Sequence, residues 1–210
     1  FGSDVLYATI ERKLFGDKQV TMLERMEQRA DDTPQNAMYL DASLSQTFGS
    51  DTSVVSGLLH LRGQTVSVVA DGDVYADQTV DNAGTVDLGD AFGQQIHIGL
   101  PYYGVMETLP VDLGNIDGFG STQGGHKAAS AVNVVFEKSR GLAVGTSIDR
   151  LNEVKEWDAT LVDGPLPLKT GIEDVAIEGD WERIGTVFVV QPHPMPLTVT
   201  GVVPDWEVSS

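Results

Sequence analysis

The sequence predicts an all-β protein built from short-stranded β-barrel or β-sandwich subdomains with long loops. Three observations predict it. Apolar and polar residues alternate at period two in runs of a strand's length, the signature of half-buried strands. Turn signals recur about every 8–12 residues, the spacing of an antiparallel sandwich or barrel. The 210 residues include 23 glycines and 9 prolines, which suit many tight turns. The runs fall into three stretches: 1–53, a hairpin and a strand packing onto the rest; 54–112, a small barrel-like subdomain; and 113–210, a second β subdomain.

Residues 4–13 and 19–27 read as the first two strands. Val5, Tyr7, Thr9 and Glu11 form one alternating set and Leu6, Ala8 and Ile10 the other. Leu14-Phe15-Gly16-Asp17-Lys18 is the hairpin turn between them. Residues 20–29 also have helical propensity, but the preceding Gly-Asp turn and the matched length favour a hairpin. Residues 31–36 are a loop, 37–41 a short apolar strand, and 43–53 a polar, glycine-containing connection.

The most informative stretch is 54–80. It holds two short alternating strands around an Asp71-Gly72 turn, behind a buried Leu58-Leu59-His60-Leu61 run. A turn at Asp81-Asn82-Ala83-Gly84 leads to a short strand over 85–88, and 94–100 alternates again until Pro101, which cannot donate to a ladder. Residues 113–125 are glycine-dense and read as a long loop or internal boundary. In 128–138, Val132, Val134 and Phe136 alternate with Asn133 and Val135, and β-branching decides for strand over helix. Further strands follow over 142–147, 171–178, 186–191 and 197–203, with 151–157 a short strand or turn, 163–167 a loop, and Pro192, Pro194 and Pro196 breaking between the last two strands.

Charge is the strongest global property. Thirteen basic and 31 acidic residues leave a net charge of −18, a field that repels nucleic-acid phosphates and anionic membranes. With no cysteine, disulfides, thiolate metal sites and thiol catalysis are excluded. No segment reaches the ~18–20 consecutive apolar residues of a membrane helix, so no membrane anchor is expected. The start has no basic region followed by an apolar run, and a strand pattern begins almost at once. That pattern is the expectation for a piece of a longer chain.

The chemical motifs are weak. Gly118-Phe119-Gly120-Ser121-Thr122-Gln123-Gly124-Gly125 has the glycine density of a dinucleotide loop but lacks the strand before it and the helix after it. Asp71, Asp73 and Asp77 alternate as calcium ligands do, yet the glycine and glutamate of a calcium loop are missing, and Asp71-Gly72 is more simply a turn. His60 and His97 sit in strand patterns as structural residues. His126 and His193 are isolated, and no HExxH or GxSxG motif occurs. Trp157, Trp181 and Trp206 fit core or interface positions as well as a carbohydrate platform. No catalytic, cofactor-binding or metal-ligating residue is assigned, and no enzyme is expected.

Ser56-Gly57-Leu58-Leu59-His60-Leu61-Arg62-Gly63-Gln64-Thr65-Val66-Ser67-Val68-Val69-Ala70-Asp71-Gly72 resembles the signature SGLxHLxGxTVxVxADG. That signature belongs to the C-terminal part of bacteriophage and prophage tail nozzle proteins, the tail tubular protein B-like or stabilisation proteins. Gln95-Ile96-His97-Ile98-Gly99-Leu100-Pro101-Tyr102 is similar to the family's hVGLPY segment, Glu107-Thr108-Leu109-Pro110 to its ETLP, and Leu23-Glu24-Arg25-Met26 to its xxERM. Leu168-Lys169-Thr170-Gly171 and Pro196-Leu197-Thr198-Val199 extend the match in order, so that it spans residues 5–203. The family's basic stretch before Val132 is thinned here to His126-Lys127, which puts any DNA or partner contact at those positions in doubt. The 54–80 unit also resembles the small FCCH β-barrel of ubiquitin-activating enzymes, which implies a fold element and no ubiquitin chemistry.

The resemblance implies a virion tail component assembled in the host bacterial cytoplasm. It implies a ring of identical copies, a hexamer, beside neighbouring tail and adaptor proteins, with DNA passing through without specific binding. The alternative is a tail-associated adhesion or carbohydrate-binding β module using Tyr102, Tyr103 and Trp157. A glycan-cleaving tail enzyme is a third reading.

Overall fold

The computed structural model describes residues 5–27, 33–90, 93–112, 114–116, 120–121, 125–155 and 164–209. Within them the chain is all-β, as its alternation predicts, and none of the described sheets closes into a barrel. The chain divides into two compact units, Phe1–Tyr102 with Ala159–Pro167, and Tyr103–Asp158 with Leu168–Ser210.

In the first unit, β1 (Tyr7–Leu14) and β2 (Lys18–Arg25) pair along their whole length, from Tyr7↔Arg25 to Leu14↔Lys18. The turn between them is the one predicted. Phe15, Gly16 and Asp17 all take positive φ, which closes a three-residue hairpin loop. A four-stranded antiparallel sheet follows in the order β3-β8-β5-β6, formed by β3 (Asp41–Thr52), β8 (Gly93–Leu100), β5 (Thr65–Ala70) and β6 (Asp73–Thr79). The short strands β4 (Val54–Ser56) and β7 (Thr85–Asp87) pair beside it.

Three local expectations change here. The polar stretch 43–53 is not a connection but most of β3. As an edge strand, β3 needs only one apolar face. Leu44 and Phe48 alternate toward the core, while Ser45 and Thr47 between them are exposed. Residues 37–40 are extended without a ladder; Ala37 and Leu40 are apolar because they are buried, not because they belong to a strand. His60 lies on a 3-10 turn, Leu59–Leu61, rather than in a strand. That turn aims Leu58 and Leu61 into the core, both fully buried, and leaves Leu59 exposed. Burying side chains of this size stabilises by about 1.5–3 kcal/mol each. Around them Val55, Val66, Val68, Val86, Ile96 and Ile98 complete the first core.

The second unit contains β9 (Gly104–Glu107), β10 (Asn115–Ile116), β11 (Gly120–Ser121), β12 (His126–Ser139), β13 (Ala143–Ser147), β14 (Arg150–Glu153), β15 (Lys169–Ala176), β16 (Phe188–Gln191) and β17 (Val199–Ser209). One sheet has the order β15-β12-β17, another β14-β13-β16-β9, and β10 pairs with β11. Strand β12 carries its predicted alternation: Val132, Val134 and Phe136 are buried in the second core with Leu142, Val144 and Val187. Strand β17 runs six residues past the predicted end, through Pro204. Proline fits there because β17 is an edge strand whose outer amides need no partner. Most of the glycine-dense 113–125 stretch, and residues 156–163, lie outside the described residues. Among the described residues no helix is long and apolar enough to cross a membrane.

Two glycines separate backbone strain from steric fit. Gly84 has φ +76°, and a Cβ there would stand 2.5 Å from the Leu59 amide nitrogen, whereas Gly16 at φ +72° has nothing within 4 Å. Gly84→Ala is expected to lower stability by about 2–4 kcal/mol, because strain and clash add. Gly16→Ala should cost only about 1 kcal/mol, from strain alone. Thermal melts of the two variants check the ranking, and equal losses would contradict it.

Candidate functional site

The informative 54–80 segment is scaffold. Asp71 and Gly72 take positive φ, as a two-residue hairpin turn between Ala70 and Asp73 requires. The Asp71 carboxylate accepts the Gln94 amide on Oδ2 and the Gln95 amide on Oδ1, each at 2.8 Å, and the Asp71 amide donates to the Gln95 carbonyl at 2.8 Å. Both oxygens of this acid therefore hold the start of β8. A side chain at Gly72 would meet Pro34 and Pro165 at 3.0 Å, so the turn is packed closely as well. Asp77 sits at positive φ where the β5–β6 register slips between Val66 and Val68. Among the described residues, no three His, Asp or Glu side chains are grouped to hold a metal ion.

A groove lies in the first unit, between the β1–β2 ribbon and residues 38–45. Its volume is about 880 Å3, and its apolar lining includes Ile10, Met22, Met26, Met38 and Leu44. Methionine side chains re-pack easily, so such a lining accepts varied apolar surfaces. The ribbon is held over the groove by charge. Arg12 donates from Nε and Nη2 to the two Glu24 carboxylate oxygens at 2.8 and 2.9 Å, and from Nη1 to Asp41 Oδ2 at 3.1 Å. The Arg12 hydrogen bonds hold the Glu24 carboxyl below its ordinary range, against the opposing effect of partial burial. The Arg12 guanidinium is raised, first by its bond to Glu24. At the turn, the Arg62 guanidinium lies 5.2 Å from the centre of the Phe15 ring, a cation–π contact that ties the tip down.

His97 is the buried histidine of the first unit. Its Nε2 is 3.0 Å from the Gln35 carbonyl and its Nδ1 is 2.7 Å from Ser45 Oγ. A carbonyl only accepts, so the Gln35 contact puts a proton on Nε2; the Ser45 hydroxyl at Nδ1 also lies 2.8 Å from Met38 Sδ. Burial pushes the His97 pKa down, while its bond to the Gln35 carbonyl opposes that shift. Ser45 and His97 are also cross-strand neighbours of β3 and β8. The pair is thus a pin between two strands and the 3-10 turn Pro34–Asn36. His60 bonds its Nε2 to the Ala42 carbonyl at 3.0 Å and lines the groove.

The other residues singled out by sequence are dispersed. His126 is exposed on β12, with its Nε2 3.5 Å from Arg183 Nε, while His193 Nε2 lies 3.7 Å from Glu153. Trp206 packs on the second core and Trp181 is exposed. Tyr102 lines the groove and Tyr103 is exposed. Trp157 and most of the 118–125 glycine motif lie outside the described residues. Lys127 is buried, with its ammonium on the Arg183 carbonyl at 3.2 Å and the Gly125 carbonyl at 3.5 Å. It is not presented to a phosphate backbone. Sequence reasoning misses the Arg12–Glu24–Asp41 cluster. Its signal is nevertheless present, because Arg12 and Glu24 interrupt the inward-facing sets Ala8, Ile10, Leu14 and Val20, Met22. The chain matches no protein-family model and no curated protein.

Arg12→Ala is expected to cost about 1–2 kcal/mol, the range for a partly screened ion pair whose partners stay near the surface. It should also speed tryptic cleavage at Lys13 and Lys18. Unchanged cleavage would show that the ribbon is held by other contacts. For His97 the folded pKa lies below the unfolded value. The stability it contributes is complete above about pH 6.5 and is lost as pH falls toward the lowered folded value. The stability margin of the parent over His97→Gln, from urea midpoints, should therefore shrink between pH 7 and pH 5. A margin that widens would contradict this protonation state.

Proposed function

We propose that this chain is a structural component of a bacteriophage tail, part of a nozzle or tail-tube ring through which DNA is ejected, and that it acts by assembly rather than catalysis. The observation that carries this reading is the ordered series of tail-nozzle-like segments from Leu23-Glu24-Arg25-Met26 to Pro196-Leu197-Thr198-Val199. The fold supports it at the central segment. Residues of the SGLxHLxGxTVxVxADG-like stretch stand at positive-φ turns and in the first core. Gly57, Gly63, Asp71 and Gly72 all have positive φ, and Leu58, Leu61, Val66 and Val68 are fully buried. A stiff, closely turned β unit suits a ring that bears mechanical load.

The charge supports the second half of the reading. A net charge of −18 opposes DNA binding, and a bore lined with carboxylates would let a polyanion slide without adhering. The burial of Lys127 on backbone carbonyls agrees with passage rather than binding.

Antibody against the chain is expected to decorate the free end of short tails in electron micrographs of particles from producing cells. Staining confined to soluble cell protein, with none on particles, would sink the proposal. Selective binding of one cell-surface glycan on an array, lost in Tyr102→Ala, would favour the adhesion reading instead. A fall in polysaccharide viscosity would favour the enzyme.

A further inference from the structure

The β1–β2 ribbon is anchored at its tip and bare at its open end. At the tip Leu14 is buried and Phe15 lies against Arg62. At the open end Leu6, Tyr7, Leu23 and Met26 expose 59, 59, 73 and 65% of their surface. Among the described residues β1 and β2 pair only with each other. A two-stranded ribbon is marginal in water by itself, and a cluster of large exposed apolar side chains marks an interaction surface.

The β15-β12-β17 sheet of the second unit offers a matching face. Its register aligns Ile172, Val135 and Gly201 in one row and Asp174, Asn133 and Val203 in the next. Ile172 and Val203 are 65 and 59% exposed, and Gly201 has no side chain to cover Val135. Exposed Asp174, Asp205 and Glu207 flank this apolar centre. The face is apolar in the middle and acidic at its edge.

Charge narrows the occupant. Two copies of a chain with net charge −18 repel each other over most of their surfaces. Residues 5–27 are the exception, with four basic and four acidic side chains. At the open end Arg25 is exposed on the same side of the ribbon as Tyr7 and Leu23 and is paired with Glu27, so that end carries no net charge there. This segment approaches an acidic face without net repulsion.

We propose that the open end of the ribbon docks on the outer face of the β15-β12-β17 sheet of a second copy of this chain. The choice of another copy as partner rests on the tail-ring reading; the two surfaces rest on exposure and charge. Different patches meet, so the contact is heterologous, and repeating it generates a ring when the rotation closes.

Sedimentation of the parent, Leu23→Glu and Ile172→Glu tests this, at concentrations up to about 0.5 mM, within the range linked modules experience. The parent should self-associate, and each variant should lose affinity by about tenfold or more, as loss of an apolar anchor does. A 1:1 mixture of the two variants should recover association and stop at a dimer, because one copy keeps its ribbon and the other its sheet face. If either variant melts early, Tyr7→Gln, on the same face of the ribbon as Leu23, and Val203→Thr carry the same test. A parent that stays monomeric, variants that associate like the parent, or a mixture that stays monomeric overturns the inference. Each of these outcomes leaves the tail-ring reading to antibody decoration of particles, which reads out independently.

Discussion

The first unit depends on one carboxylate. Asp71 sits in the turn between β5 and β6 with positive φ, and its two oxygens hold consecutive amides at the start of β8. Charge-assisted bonds of this kind are roughly twice as strong as neutral ones. They fix the β5–β6 hairpin against β8, the strand that pairs with β5 on one side and β3 on the other. A slip of one residue would turn every side chain to the wrong face. Strand β3 begins at Asp41, which receives Arg12, so the clamp at Asp71 indirectly sets where the ribbon is tethered. The Ser45–His97 pin and the close packing of Gly72 on Pro34 lie along the same path.

The polar groups along this path hold backbone and strands in place. Asp71 holds backbone amides, His97 bridges a serine and a carbonyl with burial lowering its pKa, and Glu24 is held by Arg12 below its ordinary range. The described residues also leave apolar surface open to a partner: the methionine-lined groove, the bare end of the ribbon and the outer face of the β15-β12-β17 sheet. An acidic surface with a few apolar contact patches suits the proposed tail subunit, which would join its own kind while repelling DNA.

Much of this is legible in the sequence, and the failures have physical causes. The β1–β2 hairpin and the Asp71-Gly72 turn are readable because a dedicated turn and clean alternation coincide. The alternation of β12 is readable from Val132, Val134 and Phe136 at every second position. Strand β3 escapes because an edge strand needs few apolar residues, and Leu44 and Phe48 stand among serines and threonines. The end of β17 escapes because Pro204 reads as a breaker, a rule that an edge position relaxes. His60 reads as a strand residue because Leu58-Leu59-His60-Leu61 is apolar around it, and periodicity cannot tell such a run from a turn that buries two of three leucines. The Arg12–Glu24 pair is visible as two charges on an apolar face; its third partner, Asp41, follows only from the tertiary fold.

The proposed ring would surround passing DNA with an acidic wall. Cryo-electron microscopy of the protein in its assembled tail measures this directly. A closed ring is predicted, with an axial bore lined by aspartates and glutamates of this chain. A bore lined by neutral or basic side chains, or density for this chain outside any ring, would contradict the account.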